Sequence, residues 1–492
     1  MLLTIVTFGL ITIAIYKYGT HNSDYWEKKK VPFIKPTFFF GILYDTIVKG
    51  ELIATYLAKF YNKFTAPVFG FYAMRRPFLV LRDLETIKNF LIKDAEYFSD
   101  RYLFNDPSID SVIAYGLFGA KGCMWKNLRP CFSSFFTTAK VKVMFSLLNN
   151  CRKDFNDYLE NNVNHNIKAK ELAQKFASNV LARCVFGISI NTFKDENSGF
   201  NLPRKQFVGS SFLRIFSLLC YYYSPALVRT FRLKFCGQRL TDFLVKVFNA
   251  SIKEREFTKI KNGDMIDLFI EFKNSKLVEL GLTWDVVTAQ ACLFYAAGQE
   301  SVAGTIAFTL YELCQNVSIQ NRLRTDIHEI KKKHNGITYN ALQEMEYLDM
   351  VVSETLRKYP SVPQIHRQCV KNYKIPNTDI IIEKGTNVTI SSFGIHHNPI
   401  FFPDPDRYDP ERFNRINRHK IQHGSYLPYG EGLRSCIAQI FSLTLVKMCI
   451  VQLVEKYEVI KNPNTVEKIE FTMFPIIVQA KQPLNVTLRR ST

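Results

Sequence analysis

No Cys-x-x-Cys pair and no Cys/His spacing of the zinc-binding kind occurs in the chain, and its 11 cysteines are odd in number. That argues against a disulfide framework and suits a reducing compartment. Acidic residues are also short: 44 Asp and Glu stand against 64 Lys and Arg, a formal charge of +20. The basic excess is scattered, with no stripe and no nucleic-acid motif, so no nucleic-acid partner is expected. Anionic lipid and an acidic protein partner suit such a surface. A chain of 492 residues would ordinarily suggest two or three domains, yet it contains no internal linker and no repeat, which leaves one large domain open.

The uncharged N-terminal run, Leu2 to Tyr16, falls short of the roughly 20 apolar residues a spanning helix usually needs. It is as short as a signal-peptide core, but no basic stretch precedes it and no small-x-small cleavage site follows. The positive charge comes afterwards, at Lys17 and Lys28-Lys29-Lys30, which favours a retained anchor with the rest of the chain in the cytosol. Residues 1–20 are therefore expected as an anchor and 21–36, with Pro32 and Pro36, as a basic linker stiffened by proline. On that topology the sequons at Asn249, Asn316, Asn387 and Asn485 are coincidences.

What is there begins with Pro67 to Asp83, which alternates around Arg75-Arg76-Pro77 and reads as a β-hairpin, followed by a helix over Leu84 to Lys93. Phe98-Ser99-Asp100-Arg101 opens an irregular segment reaching Gly122, whose Leu103, Phe104, Leu117 and Phe118 are too apolar for disorder. That segment is a candidate cavity cover. Trp125 and Arg129 stand at i and i+4, one face of a helix, and would suit a pair of carboxylates. Lys168 to Arg239 is helical in pattern, and its apolar stretch Phe207 to Leu233 reads either as a mobile roof or as a buried helix pair. Thr283 to Asn316 reads as one helix roughly 50 Å long. Gly298 in its middle implies a tight approach, and Glu300-Ser301 inside apolar surroundings is a candidate proton relay. Glu354 and Arg357 share a helix face. His396-His397 tempts a metal reading, but adjacent residues rarely share a ligand face. Glu470 to Val478 is strand-like.

The stretch these elements serve is Pro428-Tyr429-Gly430-Glu431-Gly432-Leu433-Arg434-Ser435-Cys436-Ile437-Ala438. Its glycines allow positive φ and close backbone approach. Its cysteine precedes an apolar, helix-permissive run from Ile440 to Val454, and a helix N-terminus stabilises a thiolate. An ionised sulfur ringed by backbone donors can sit beneath a metal, and thiolate ligation of haem iron favours O–O cleavage. Tyr429-x-x-Gly432-x-Arg434-x-Cys436 closely resembles the haem-binding signature of the cytochromes P-450, with Tyr429 where Phe is usual and Ala438 where Gly is usual. Ala297-Gly298-Gln299-Glu300-Ser301 resembles the family's oxygen-activation motif, with serine in place of threonine. Phe98-Ser-Asp-Arg101 and Lys140-Val-Lys142-Val-Met144-Phe145 resemble insect microsomal members linked to detoxification.

The resemblance implies a mainly α fold with a small β-rich lobe, over residues 37–492. It implies haem b (iron protoporphyrin IX) on Cys436 as metal ligand. Arg101, Trp125, Arg129, Arg367 and Arg434 would hold the cofactor, and Glu300 and Ser301 would serve catalysis. Phe104, Leu117, Phe118, Phe294, Ala297, Val362, Ile365 and Phe474 would line the substrate cavity, and Glu354, Arg357 and Arg412 would form a buried structural triad. The implied reaction is monooxygenation of a small lipophilic substrate at the endoplasmic reticulum membrane. Electrons would come from NADPH through a flavoprotein reductase docked on the basic side beneath Cys436, with cytochrome b5 a second candidate partner. Two alternatives stay open: a family member that rearranges its substrate without activating dioxygen, and a non-catalytic haem or hydrophobe binder.

Overall fold

Alternation over Pro67–Asp83 becomes strands Val68–Ala73 and Arg76–Leu81, paired antiparallel with only Met74 and Arg75 in the turn. The computed structural model describes residues 2–61, 63–201, 212–473 and 476–491. Across them the chain is mainly helical with three small sheets, the fold class expected. The hairpin seeds a four-stranded sheet. Arg76–Leu81 runs parallel to Asn387–Ile390, which pairs antiparallel with Ile365–Gln368. A second sheet joins Asn166–Lys168, Asn485–Arg490 and Tyr457–Ile460.

The helical body is organised on Trp284–Gln315, 32 residues or about 48 Å at 1.5 Å per residue. It is buried on nearly every side, as a helix apolar all round must be. Helix Ala169–Phe186 packs along it, and a Cβ at Gly298 would stand 3.3 Å from both δ-carbons of Leu181. The tight approach expected at Gly298 is thus made by a neighbouring helix. The C-terminal helix Gln439–Lys456, buried from Thr444 to Val454, completes the core.

Several expectations change. Residues 21–36 pack against the hairpin. Trp26, Val31 and Ile34 are buried, and the Trp26 indole donates to the Phe71 carbonyl (3.2 Å). The Ile34 and Gly70 amides exchange hydrogen bonds with Gly70 and Pro32 carbonyls. Gly70 is what admits the indole, since a Cβ there would lie 2.5 Å from its ring. The N-terminal helix is Leu2–Thr20, apolar over Thr4–Ala14; among the described residues no single helix is long and apolar enough to cross a membrane. Leu84–Lys93 is split into an α turn, Leu84–Lys88, and a π turn, Asn89–Lys93. Glu470–Val478 forms no strand among the described residues; Phe471 makes a single bridge with Ala480, and Phe474 lies outside the described residues. Of Phe207–Leu233, residues 207–211 also lie outside them. The remainder forms helices Phe212–Tyr223 and Pro225–Phe231, with Leu218 and Tyr221 to Tyr223 buried but Leu213 and Phe231 exposed. Asn387 is buried within its strand, which closes that sequon to glycosylation of the folded chain.

Candidate active site

The cysteine loop is held by backbone. Gly430 and Gly432 both have positive φ (68° and 73°). A Cβ at Gly432 would lie 1.7 Å from the Leu91 carbonyl oxygen, so the close approach that demands glycine is to the π turn behind the loop. The Cys436 amide donates to the Tyr429 carbonyl (2.9 Å), closing the loop. The hydroxyl of Tyr429 accepts from Ser442 (3.1 Å), which satisfies the oxygen that phenylalanine would not carry. Burial raises the Cys436 thiol, against the Ala438 N–H and the Arg129 and Arg101 charges, which favour the thiolate. Yet Cys436 keeps accessible surface, whereas eight of the other cysteines are buried.

Guanidinium groups converge beside it. Arg129 donates to the Ser435 carbonyl (2.7 Å), Arg101 to the carbonyls of Phe118 (2.8 Å) and Arg434 (3.2 Å). Arg434 lies over the Trp125 ring (3.9 Å) and donates to Ser99 and Ala120 carbonyls. Arg367 comes from the strand end and donates to the His366 carbonyl (2.9 Å). Burial, then mutual repulsion, lowers three of them: Arg434 to about 8, Arg367 to about 9, Arg101 to about 10. Among the described residues only Asp100 comes within ion-pair distance of the four, at 3.4 Å from Arg434. The Trp125 indole N–H is buried without a partner.

The long helix packs against the helix Gln439–Lys456 that follows the cysteine loop. Ala297 and Ser301, at i and i+4, keep accessible surface between buried neighbours. The Ser301 hydroxyl donates to the Ala297 carbonyl (2.8 Å). Glu300 turns the other way. It is 1% exposed, ion-paired with Lys170 (2.5 Å), and accepts from Gln174 (2.9 Å) and Gln479 (3.3 Å). Acid and alcohol are neighbours in sequence but do not share a face. One turn on, Thr305 approaches Ser361 (3.3 Å), the neighbour of Val362, which is 38% exposed. Ile365 is buried near Gly430. In the cover segment, Phe104 and Leu117 are buried, the Phe104 amide donates to the Tyr221 carbonyl (2.9 Å), and the Phe118 ring stacks under Arg101 (4.5 Å). Phe294 is packed among Phe132, Phe136 and Phe269, so its ring belongs to the aromatic core as well.

Behind the loop, Glu354 takes both ends of Arg357 (2.8 Å each) with Arg412 Nε at 3.5 Å. The Arg357 carbonyl faces His396 Nδ1 (3.1 Å), and His396 Nε2 accepts from the Leu427 amide (2.8 Å). This strut from triad to cysteine loop was not foreseen. Neither were Leu91 nor the Lys170–Gln174–Gln479 ring around Glu300, all distant in sequence.

A profile of the family described as cytochrome P450 matches residues 31–488. The chain belongs to the cytochrome P450 family. It is similar to cytochrome P450 6k1 of Blattella germanica, 35% identical over 99% of this chain and 97% of that one. Probable cytochrome P450 6w1 of Drosophila melanogaster and cytochrome P450 6B2 of Helicoverpa armigera are each 31% identical, over 98% of this chain and 97% of theirs.

Cytochromes P450 carry haem, and the residues present fit it. Four guanidiniums facing one carboxylate leave a positive excess that the two carboxylates of a porphyrin would neutralise. The unpartnered Trp125 N–H is a further donor for them, and the accessible thiol of Cys436 is a ligand of the right softness for iron. Ala438 is half-buried.

Proposed function

We propose that this cytochrome P450 is a haem-thiolate monooxygenase that inserts one oxygen atom of dioxygen into a small lipophilic substrate. The observation that carries this reading is the accessible thiol of Cys436 beneath a cluster of unneutralised arginines. When bound, haem would supply dioxygen-cleaving chemistry, which thiolate ligation by Cys436 would favour. The chain's own residues do the rest. Arg101, Trp125, Arg129, Arg367 and Arg434 would hold and orient the cofactor carboxylates. The Ala438 N–H steadies the sulfur charge. Ser301 Oγ holds a proton at the cavity wall, parked on the Ala297 carbonyl, from which a rotation about χ1 presents it to the reacting centre; serine has the rotamer freedom to do so. Glu300, held by Lys170, Gln174 and Gln479, fixes the polar interior behind that hydroxyl and reaches the cavity only by leaving its partners. Phe118, Ala297 and Val362 exclude water and offer an apolar wall.

Electrons come from NADPH through a flavoprotein reductase drawn to the basic surface, with cytochrome b5 as a second donor. The helix Leu2–Thr20 holds the chain to the endoplasmic reticulum membrane, with the body (residues 37–492) in the cytosol and the exposed Leu213 and Phe231 adding contact with lipid. The test is turnover of a lipophilic panel by the haem-loaded chain with reductase, NADPH and isotopically labelled dioxygen. One labelled oxygen atom per product is expected. Rearranged products without label would replace this reading with the isomerase alternative, and NADPH consumption with no product from any substrate with the non-catalytic one.

A further inference from the structure

Five large apolar side chains stand outward within a short stretch near the N-terminus. Phe38, Phe40, Tyr44, Ile47 and Val48 are each between 42% and 65% exposed. A contiguous exposed patch marks an interaction face, whereas scattered apolar residues do not. Tyr44, Ile47 and Val48 stand at i, i+3 and i+4 of the helix Ile42–Lys49, so they share one side of it, while Ile42, Leu43 and Thr46 are buried on the other. The turn before that helix holds its aromatic rings out. Phe39 has a φ of 64°, a region that bulky residues rarely enter and that persists only where the surroundings over-determine it. Here they do. The Gly41 amide donates to the Thr37 carbonyl (2.8 Å), and the Met74 amide, from the hairpin turn, donates to the Phe40 carbonyl (3.0 Å). A Cβ at Gly41 would collide with the Tyr72 carbonyl, so the turn is pressed against the hairpin. A strained turn pinned in this way, with Phe38 and Phe40 left in water, is explained by a partner that covers the rings.

Two observations name that partner. The patch is continuous with the N-terminal helix. The Tyr16 ring stacks on Phe38 (ring centres 6.3 Å apart), and a Cβ at Gly19 would collide with the same Phe38 ring. The helix Leu2–Thr20, with Ile5, Phe8, Leu10 and Ile13 exposed, therefore leaves the body at this patch. Exposed lysines also flank it in the chain: Lys17, Lys30 and Lys35 on one side, and Lys49, paired with Asp45 (3.3 Å), on the other. A second copy of the chain would set these like charges against each other, whereas an anionic leaflet attracts them.

We propose that Phe38–Phe40 and the outer side of Ile42–Lys49 form a second membrane-docking face, inserted into an anionic leaflet beside the helix Leu2–Thr20. The face rests on the membrane reading given above and adds to it where the body meets lipid. Aromatic rings suit the headgroup level, and Ile47 and Val48 suit the acyl boundary beneath it. Because the turn is pinned to the hairpin, this contact and the helix together fix the tilt of the body on the bilayer.

The experiment places the full chain on vesicles of phosphatidylcholine and phosphatidylserine that carry a photoactivatable diazirine phospholipid. Label mapped by mass spectrometry should fall on Leu2–Thr20 and again on residues 38–48. The combined Phe40→Ser, Ile47→Ser and Val48→Ser change should remove the second cluster of label and weaken vesicle partitioning about 100-fold. The three side chains are exposed, so the variant should keep the wild-type urea midpoint; a lowered midpoint would assign them to folding and overturn the proposal. Vesicles of phosphatidylcholine alone should capture less of the chain, and equal capture overturns the anionic preference. Label confined to Leu2–Thr20 overturns the docking face and leaves the membrane reading standing, whereas label on neither segment overturns both. Substitutions that change the sedimentation of the chain but not its labelling would give the face to a second copy and equally overturn the proposal.

Discussion

His396 should make the cysteine loop acid-labile. Its Nε2 accepts from the Leu427 amide and its Nδ1 faces the Arg357 carbonyl, so only the neutral ring protonated on Nδ1 satisfies both partners. A second proton would put two N–H groups head to head at Leu427. Burial first, then the neighbouring His397 and the Arg357 charge, pushes its pKa from 6.5 down to about 3. Between those values the unfolded chain binds a proton that the folded chain refuses, so stability falls as pH falls below 6.5 and levels off only near 3. At pH 5 the loss from this one residue is about 2 kcal/mol, from a shift costing about 1.4 kcal/mol per unit. His397, stacked on Phe393 and lowered to about 4, adds a loss of the same sign. The assay is urea unfolding of the wild type and His396→Gln at pH 7 and pH 5. Glutamine still offers an acceptor to Leu427 and does not titrate. The wild type should lose about 2 kcal/mol more than the variant over that interval. Equal losses in the two proteins would mean that His396 is not the acid-sensitive strut.

Three other outcomes follow from the same geometry. Gly432→Ala combines a positive φ with a Cβ 1.7 Å from the Leu91 carbonyl oxygen, so it should cost at least about 2 kcal/mol in urea unfolding and lower haem retention; a variant with wild-type stability and spectrum would refute the packing described. Ser301→Ala should keep haem and substrate binding but send more NADPH electrons to peroxide, while Ser301→Thr should hold or improve coupling; unchanged peroxide yield in both would move proton delivery elsewhere. Deleting residues 1–20 should leave a folded haem protein that floats partly free of microsomal membranes, and full retention on the membrane would remove the anchoring role from Leu2–Thr20.

Local signals were legible where one segment carries the whole cause. The hairpin shows as alternation around Arg75-Arg76, the long helix as an apolar stretch between Thr283 and Asn316, and the cysteine loop as glycines and an arginine at fixed spacing from Cys436. What escaped depends on partners far apart in the chain. Trp26 lies in a basic, proline-containing stretch, and its burial becomes visible only when Gly70 is seen to make room for it. Gly432 reads as a site of positive φ and close approach, but the group it approaches, Leu91, is far away in the chain. Glu300 reads as a relay acid because its neighbours in sequence are apolar, and Lys170 and Gln479 could be assigned to it only in three dimensions. His396-His397 reads in sequence only as two adjacent histidines, and the role of His396 as a strut needed the Leu427 amide.

The central claim is that Cys436 is the axial thiolate of a haem. Its most direct measurement is the Soret band of the reduced carbon monoxide complex, in the wild type, in Cys436→Ser and in single substitutions of the other ten cysteines. The account predicts a strongly red-shifted band in the wild type and in all ten other variants, because thiolate donation is lost only when Cys436 is changed. Cys436→Ser should lose the band and the monooxygenase activity even if haem stays bound through Trp125, Arg129, Arg367 and Arg434. A Cys436→Ser protein that keeps both the band and the activity would contradict the assignment and the function proposed from it.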